Sequence, residues 1–138
     1  MLINKSRMPL PSYLAGAFRG LCRVAGLKSA SVPVILKRRN RYESNRYERG
    51  EGNAPNGAYF RETRTIIIRT VPNANKDDLL FVLAHEIGHF KQHKEHPGQI
   101  MPTRKSEDYA NRFALQVCHC SPKADYPIKK RIKEGATK

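Results

Sequence analysis

The apolar positions change period several times along the chain, and each change marks an element. Between residues 12 and 26, Leu14, Ala17, Phe18, Leu21, Cys22 and Ala25 recur at helical spacing. Ser12, after Pro11, offers a capping oxygen and Gly26 a stop, so the pattern predicts a first helix over 12–26. Val32-Pro33-Val34-Ile35-Leu36-Lys37 is β-rich; Pro33 confines that strand to a sheet edge, or else stands among its first residues. Residues 58–62 and 65–71 read as two more strands, the second strongly β-branched. Glu62-Thr63-Arg64 between them is either a tight turn or part of one continuous strand. Helical character returns at Lys76 and runs to about Lys94, with Asn75 as cap, Asp77 and Asp78 in the first turn and Pro97-Gly98 beyond the end. A last helix starts at Thr103 or Ser106 and ends near Cys118. The fold class expected is α+β: a compact domain with an N-terminal helix, a small mixed sheet and two further helices.

The remaining segments are polar. Residues 39–57 are dominated by charge, Asn and Gly and read as a mobile loop; a loop this long in a small domain is either mobile or functional. Pro122 and Pro127 break regular structure, and 123–138 reads as a frayed basic tail. A length of 138 residues fits one domain, residues 1–138. No apolar run approaches the ~18 residues of a spanning helix. Leu10 to Val24 is mildly apolar, but Arg19 and Arg23 interrupt it, which argues against a secretory signal.

Charge and cysteine content narrow the setting. Twenty-six Lys and Arg against 12 Asp and Glu give a net charge of +14, which suits an anionic partner such as nucleic acid, an anionic membrane surface or an acidic protein. No aromatic-rich RNA-recognition signature accompanies the basic runs at Lys37-Arg38-Arg39 and Lys129-Lys130-Arg131. Three cysteines (Cys22, Cys118 and Cys120) are too few for a disulfide framework, and a reducing, cytoplasmic setting is expected. Cys118-His119-Cys120 lacks the two-residue gap of a zinc knuckle.

Residues 85–89 read His-Glu-Ile-Gly-His, an H-E-x-x-H run in the middle of the second predicted helix. Residues four apart share one helix face, so His85 and His89 can meet a single zinc ion. Glu86 projects beside that site, where it can reach the attacking water without coordinating the metal. Uncharged flanks give the helix a body that can lie against the sheet. Gly88 costs roughly 1 kcal/mol of helix stability relative to Ala, a cost explained if backbone or substrate approaches closely there.

Catalytic zinc takes three protein ligands and keeps one position for water. A metzincin pattern needs Gly at 92 and His at 95, and this chain has Gln92 and Glu95. His93 lies two turns beyond His85, about 12 Å along the axis, too far for the same ion. His96, past the helix end, is a lesser candidate. Glu107 on the next helix is the better third ligand, since a crossing helix can deliver one carboxylate and His₂Glu is a known catalytic set. Asn111, on the same face as Glu107, suits a hydrogen bond that orients a ligand histidine. Ala110 and Ala114 are small enough for close helix packing.

His-Glu-Ile-Gly-His followed by Glu107-Asp108-Tyr109-Ala110-Asn111-Arg112-Phe113-Ala114, an E-x-x-A-N-x-F-A run, resembles the ImmA/IrrE-type metallopeptidases, which belong with the glutamate-zincins. The resemblance covers residues 65–114, including the Ile-rich strand. It implies a zincin-like fold, a strand beside the cleft that binds an extended substrate, His85, His89 and Glu107 as zinc ligands, and Glu86 as general base. It also implies a protein substrate such as a DNA-binding repressor. The chain departs from that family after Phe113-Ala114, where Leu115 to Pro122 replaces a Leu-Leu-Met-Pro-like segment, and it carries no helix-turn-helix module.

The expected activity is zinc-dependent endopeptidase hydrolysis of a protein substrate, with Glu86 passing the water proton to the leaving amine. Tyr59, Tyr109, Tyr126, His93 and His96 are all candidates for the donor that steadies the oxyanion. The alternative is a zinc-binding regulatory or nucleic-acid-associated protein without protease activity.

Overall fold

The computed structural model describes residues 1–39, 54–98 and 103–118. Four strands and three α-helices follow the order β1 (Leu2–Asn4), α1 (Leu14–Val24), β2 (Val34–Arg38), β3 (Asn56–Phe60), β4 (Thr65–Thr70), α2 (Lys76–Glu95) and α3 (Thr103–Val117), with a short 3₁₀ turn at Ser29–Ser31 before β2. The sheet order is β1-β2-β4-β3. β1 and β2 are parallel, as are β2 and β4, while β3 runs antiparallel to β4. This is a small mixed sheet in an α+β domain, as the periodicities predict.

The boundaries differ from the sequence reading where a side-chain signal is weak. Tyr13, not Ser12, precedes α1, and it makes no side-chain cap hydrogen bond. Gly26 does end the helix, in the left-handed region at φ 71° that favours glycine. β2 is an interior strand. Pro33 stands one residue ahead of it, so its missing N–H costs no ladder bond, and its carbonyl accepts from Ile66 N at 2.9 Å. β3 and β4 are separate strands joined by a tight turn, with Arg64 at φ 53°. β3 begins at Asn56, inside the stretch read as loop 39–57, and Asn56 is buried. The rest of that loop from 40 to 53, and the tail 123–138, lie outside the described residues.

The core lies between one face of the sheet and the helices. Val34, Leu36, Ile66 and Ile68 point into it, alternating with the half-buried Ile35 and Ile67 on the opposite face. Removing a Leu or Ile side chain of this kind from water contributes about 1.5–3 kcal/mol. α2 is buried nearly all round between Leu79 and Phe90, because sheet, α1 and α3 all pack on it. Its start is fixed by Asn75, whose Oδ1 accepts from the Asp78 N–H at 3.1 Å. Cys22 is a free buried thiol. Cys118 is disulfide-bonded. Among the described residues no helix is long and apolar enough to cross a membrane.

Candidate metal centre and active site

The burial of α2 is what makes its polar residues informative. His85 and Glu86 are only 6% and 5% exposed, on a helix whose neighbours are Ala84, Ile87 and Gly88. Buried polar groups are costly unless paired, so their partners define the site. The two histidines stand one turn apart, with His85 Nε2 and His89 Nε2 separated by 3.1 Å. α3 crosses at this point and brings Glu107 onto both rings, with Oε2 3.0 Å from His85 Nε2 and Oε1 3.0 Å from His89 Nε2.

Gly88 makes that crossing possible. A Cβ there would lie 3.0 Å from Ala110 Cα and 3.2 Å from Ala110 O, so the two helix backbones approach so closely that a side chain would push Ala110 back by a few tenths of an ångström. Ala110 and Ala114 are fully buried in the same contact. The helix-propensity cost of Gly88 therefore serves the placement of α3.

Hydrogen bonds behind the rings turn both Nε2 atoms toward Glu107. Asn111 Oδ1 lies 2.8 Å from His85 Nδ1 and accepts its proton. Ser106 Oγ lies 3.2 Å from His89 Nδ1 and donates to Gln92 Oε1 at 2.8 Å, which leaves its lone pair to accept from the ring. With a proton kept on each Nδ1 by these partners, a metal ion that displaced the Nε2–Glu107 contacts would find the Nε2 lone pairs turned toward it, as a metal ligand needs. Ser106 escaped the sequence reading; its only sequence signal is its place next to Glu107.

Two carboxylates stand near the imidazole pair. Glu86 can be grouped with the two histidines, since one donor atom from each lies within 4.8 Å of the others. Glu107 is nearer to both rings, whereas Glu86 Oε1 stays 3.8 Å from His85 Nε2. Glu86 Oε2 is buried with no hydrogen-bond partner. An unpaired carboxylate oxygen of this kind suits a proton acceptor more than a ligand. Glu86 is held by β3: a Cβ at Gly57 would fall 2.8 Å from Val82 Cγ1, 2.9 Å from Glu86 Cγ and 2.9 Å from Ile68 Cδ1.

The electrostatics follow from these contacts. Burial raises the Glu86 carboxyl above its usual range, and the neighbouring His85 and His89 only partly offset this. The direction suits a group that must accept a proton and return it near neutral pH. Burial alone would lower His85; the hydrogen bond to Glu107 and the nearby carboxylates outweigh it, and the net shift is upward. Burial works to raise Glu107, but its bonds to the two histidines dominate and hold it well below the carboxylate range.

The donor set fits a small divalent ion. Zinc bonds of ~2.0–2.1 Å in a tetrahedral arrangement place ligand atoms about 3.3 Å apart. The two Nε2 atoms stand 3.1 Å apart and Glu107 sets a different oxygen 3.0 Å from each, a few tenths of an ångström inside that spacing. Of the oxyanion candidates, Tyr59 and His93 meet at 2.6 Å on the His89 side. Tyr109 turns away to Lys91 and Glu95, and Tyr126 lies outside the described residues.

With this geometry in view, the family profile described as Peptidase family M48 matches residues 25–101, more than half of the chain. The chain belongs to peptidase family M48. It is thus a member of a metal-dependent peptidase family, and the matched span runs from the end of α1 through the H-E-x-x-H run of α2. The M48 match ends before α3, so Glu107 and Asn111 enter on geometry alone. The family found is M48, where the paired motifs resemble ImmA/IrrE-type enzymes. No curated protein and no solved structure gave a significant match.

Proposed function

We propose that this M48 chain is a zinc-dependent endopeptidase of the glutamate-zincin kind, in which His85, His89 and Glu107 hold the ion and Glu86 is the general base. One observation carries the reading. Glu107 sets one oxygen against each Nε2, while Glu86, next to them, keeps a buried oxygen without a partner. The first carboxylate is occupied as a ligand is, and the second is poised as a base is. When bound, zinc supplies Lewis acidity, lowering the pKa of a water toward ~7 and polarising the scissile carbonyl.

The protein's own groups do the rest. Asn111 and Ser106 hold the two rings in one tautomer and orientation. Glu86 takes the proton of the attacking water at its free oxygen and returns it to the leaving amine. Tyr59 and His93 share one hydrogen bond on the His89 side of the cleft, and the proton that this pair does not use is the donor for the developing oxyanion in this reading. β3 is the sheet edge next to α2, and an extended peptide can add to such an edge through main-chain hydrogen bonds. The ImmA/IrrE-type likeness of residues 65–114 supports the same ligand set and suggests a DNA-binding repressor or regulator as substrate.

The test compares wild type with Glu86→Gln. Each is loaded with zinc and incubated with a proteome-derived peptide library, and the products are read by mass spectrometry. Glu86→Gln should bind one zinc as wild type does and lose on the order of 10³-fold in cleavage rate. Undiminished cleavage by the variant rules out Glu86 as base. Loss of its zinc instead makes it a ligand.

A further inference from the structure

We propose that the outer face of the sheet selects the substrate together with the cleft: a peptide added to the edge of β3 sets one outward side chain against Ala58 and Phe60, and that side chain is aromatic or β-branched. The proposal rests on the peptidase reading above and adds a substrate class to it.

Hydrogen-bond direction shows which groups of β3 such a strand can use. Ile66 N donates to Pro33 O, and Thr70 O accepts from Arg39 N, so the main-chain groups of Ile66, Ile68 and Thr70 point to β2. Those of Thr65, Ile67 and Arg69 therefore point to β3, where they face Phe60, Ala58 and Asn56. Gly57 and Tyr59 are left with their N–H and C=O groups turned to the open edge, and no described residue bonds them there.

The two edges of the sheet are finished differently. β1 is three residues long and runs into Lys5 and a turn in which the Asn4 and Ser6 side chains donate to Met8 O. A short strand followed by a charge closes an edge to further pairing. β3 reads Asn-Gly-Ala-Tyr-Phe, with neither Lys nor Pro to block it.

Side chains then decide what the added strand carries. Gly57 and Tyr59 face α2: a Cβ at Gly57 would meet Glu86 Cγ, and the Tyr59 hydroxyl reaches His93 at 2.6 Å. Peptide residues opposite these two share that face and meet the candidate site, while the residue between them, opposite Ala58, points the other way. There the register lines up Ile3, Ile35, Ile67 and Ala58, one from each strand, as a row of half-buried apolar side chains on the face away from the helices. The row ends at the open edge on its smallest member, and Phe60 stands beside it 41% exposed. A fifth side chain extends the row, leans over Ala58 and reaches the Phe60 ring along the diagonal. Aromatic and β-branched side chains make the favourable pairs there, whereas a charged one loses water to apolar neighbours. The basic side chains of this face, Lys37 and Arg69, stand in the next row, in register with Asn56.

The test has a binding arm and a cleavage arm. Acetyl-Thr-Thr-X-Thr-Thr-amide peptides, with X as Phe, Ile, Ser or Glu, are titrated into the metal-free full chain, and the amide signals of residues 57–60 are followed by NMR. The Phe and Ile peptides should give saturable shifts at Gly57 and Tyr59, bind about fivefold tighter than the Ser peptide, and show Overhauser contacts from X to the Ala58 methyl and the Phe60 ring. Phe60→Ser should bring them to within about twofold of the Ser peptide, and Phe60→Tyr should keep the preference. Leu115→Ser removes an equally exposed apolar side chain from α3 and should leave the preference unchanged. Equal binding of all four peptides, or binding of none, overturns the proposal, as do contacts from X to α2. Tighter binding of the Glu peptide gives the face to Lys37 and Arg69 and overturns it as well. So does a concentration-dependent dimer that protects the Gly57 and Tyr59 amides, which gives the edge to a second copy.

In the cleavage arm, products made by the zinc-loaded chain from the peptide library should be enriched about fivefold in Phe, Tyr, Ile or Val at one fixed position near the cut, and Phe60→Ser should flatten that position. Cleavage without this preference defeats the proposal and leaves the peptidase standing. Docking on β3 without any cleavage defeats the peptidase reading and, with it, the role in substrate choice.

Discussion

α2 is approached closely from two sides, and both approaches depend on a glycine, but the two contacts are built differently. On the α3 side, Gly88 faces the backbone of Ala110. On the sheet side, Gly57 of β3 faces the side chains of Val82, Glu86 and Ile68. The first contact sets how near α3 comes, and therefore where Glu107, Asn111 and Ser106 stand. The second sets where Glu86 stands. The proposed metal-binding geometry and the proposed base geometry would thus be determined at separate junctions of one helix, and a substitution at one should leave the other function largely intact.

Gly57→Ala is the sharpest way to break this comparison. The new methyl would sit under 3.0 Å from three side-chain atoms, one of them Glu86 Cγ, so the β3–α2 contact that positions Glu86 must shift. A misplacement of about 1 Å in a catalytic group costs roughly 100-fold in rate. Peptide cleavage by Gly57→Ala should fall by about that factor, while zinc affinity from chelator competition stays within about twofold of wild type. A parallel loss of zinc affinity would show that the two junctions are not separable.

Gly88→Ala probes the other junction. The methyl gains roughly 1 kcal/mol of helix propensity but meets Ala110 Cα at 3.0 Å and its carbonyl oxygen at 3.2 Å. A neighbouring backbone yields less readily than a side-chain end, and overpacking of this kind costs about 1–3 kcal/mol. The variant should therefore be less stable to urea by up to about 2 kcal/mol. It should also lose about tenfold in zinc affinity, as α3 carries Glu107 outward. A variant more stable than wild type with undiminished zinc binding would mean that α3 does not need this approach.

How much could be read before the fold was known tracks how local each signal is. α2 is written into its own residues: Asn75 as cap, two acids in the first turn, and histidines at i and i+4. Its observed span of Lys76–Glu95 ends one residue beyond the reading. The turn between β3 and β4 was legible as one of two options. β1 was not, because Leu2–Asn4 is three residues long and becomes a strand only by pairing with β2. Asn56-Gly57 looked like loop for a similar reason. Polar and flexible residues there serve the contact with α2, a demand that comes from another element. In the candidate site, the histidine pair needs only helical periodicity. The arrival of Glu107 depends on the α2–α3 crossing, and Gly88 was legible as a close approach without revealing what approaches.

Ser106 is the residue for which local reading offered least, and it gives the smallest and most discriminating prediction. Its hydroxyl accepts from His89 Nδ1 and donates to Gln92 Oε1, a group on a side chain only 6% exposed. Ser106→Ala removes both bonds without adding volume, so α3 should keep its position and Gly88 its contact. What changes is the constraint on the His89 ring. Loss of such an orienting partner costs 10–100-fold in metal affinity where the bond is short and buried. At 3.2 Å and half-buried, the expected loss is at the low end, about tenfold. Ser106→Thr, which keeps the hydroxyl, should recover most of it. Nitrogen-15 shifts of the metal-free protein should show His89 moving from a single tautomer to a mixture in the alanine variant, while His85, held by Asn111, does not change. If His89 keeps one tautomer and zinc binds as before, the ring is oriented by packing alone, and α3 contributes Glu107 without steering His89.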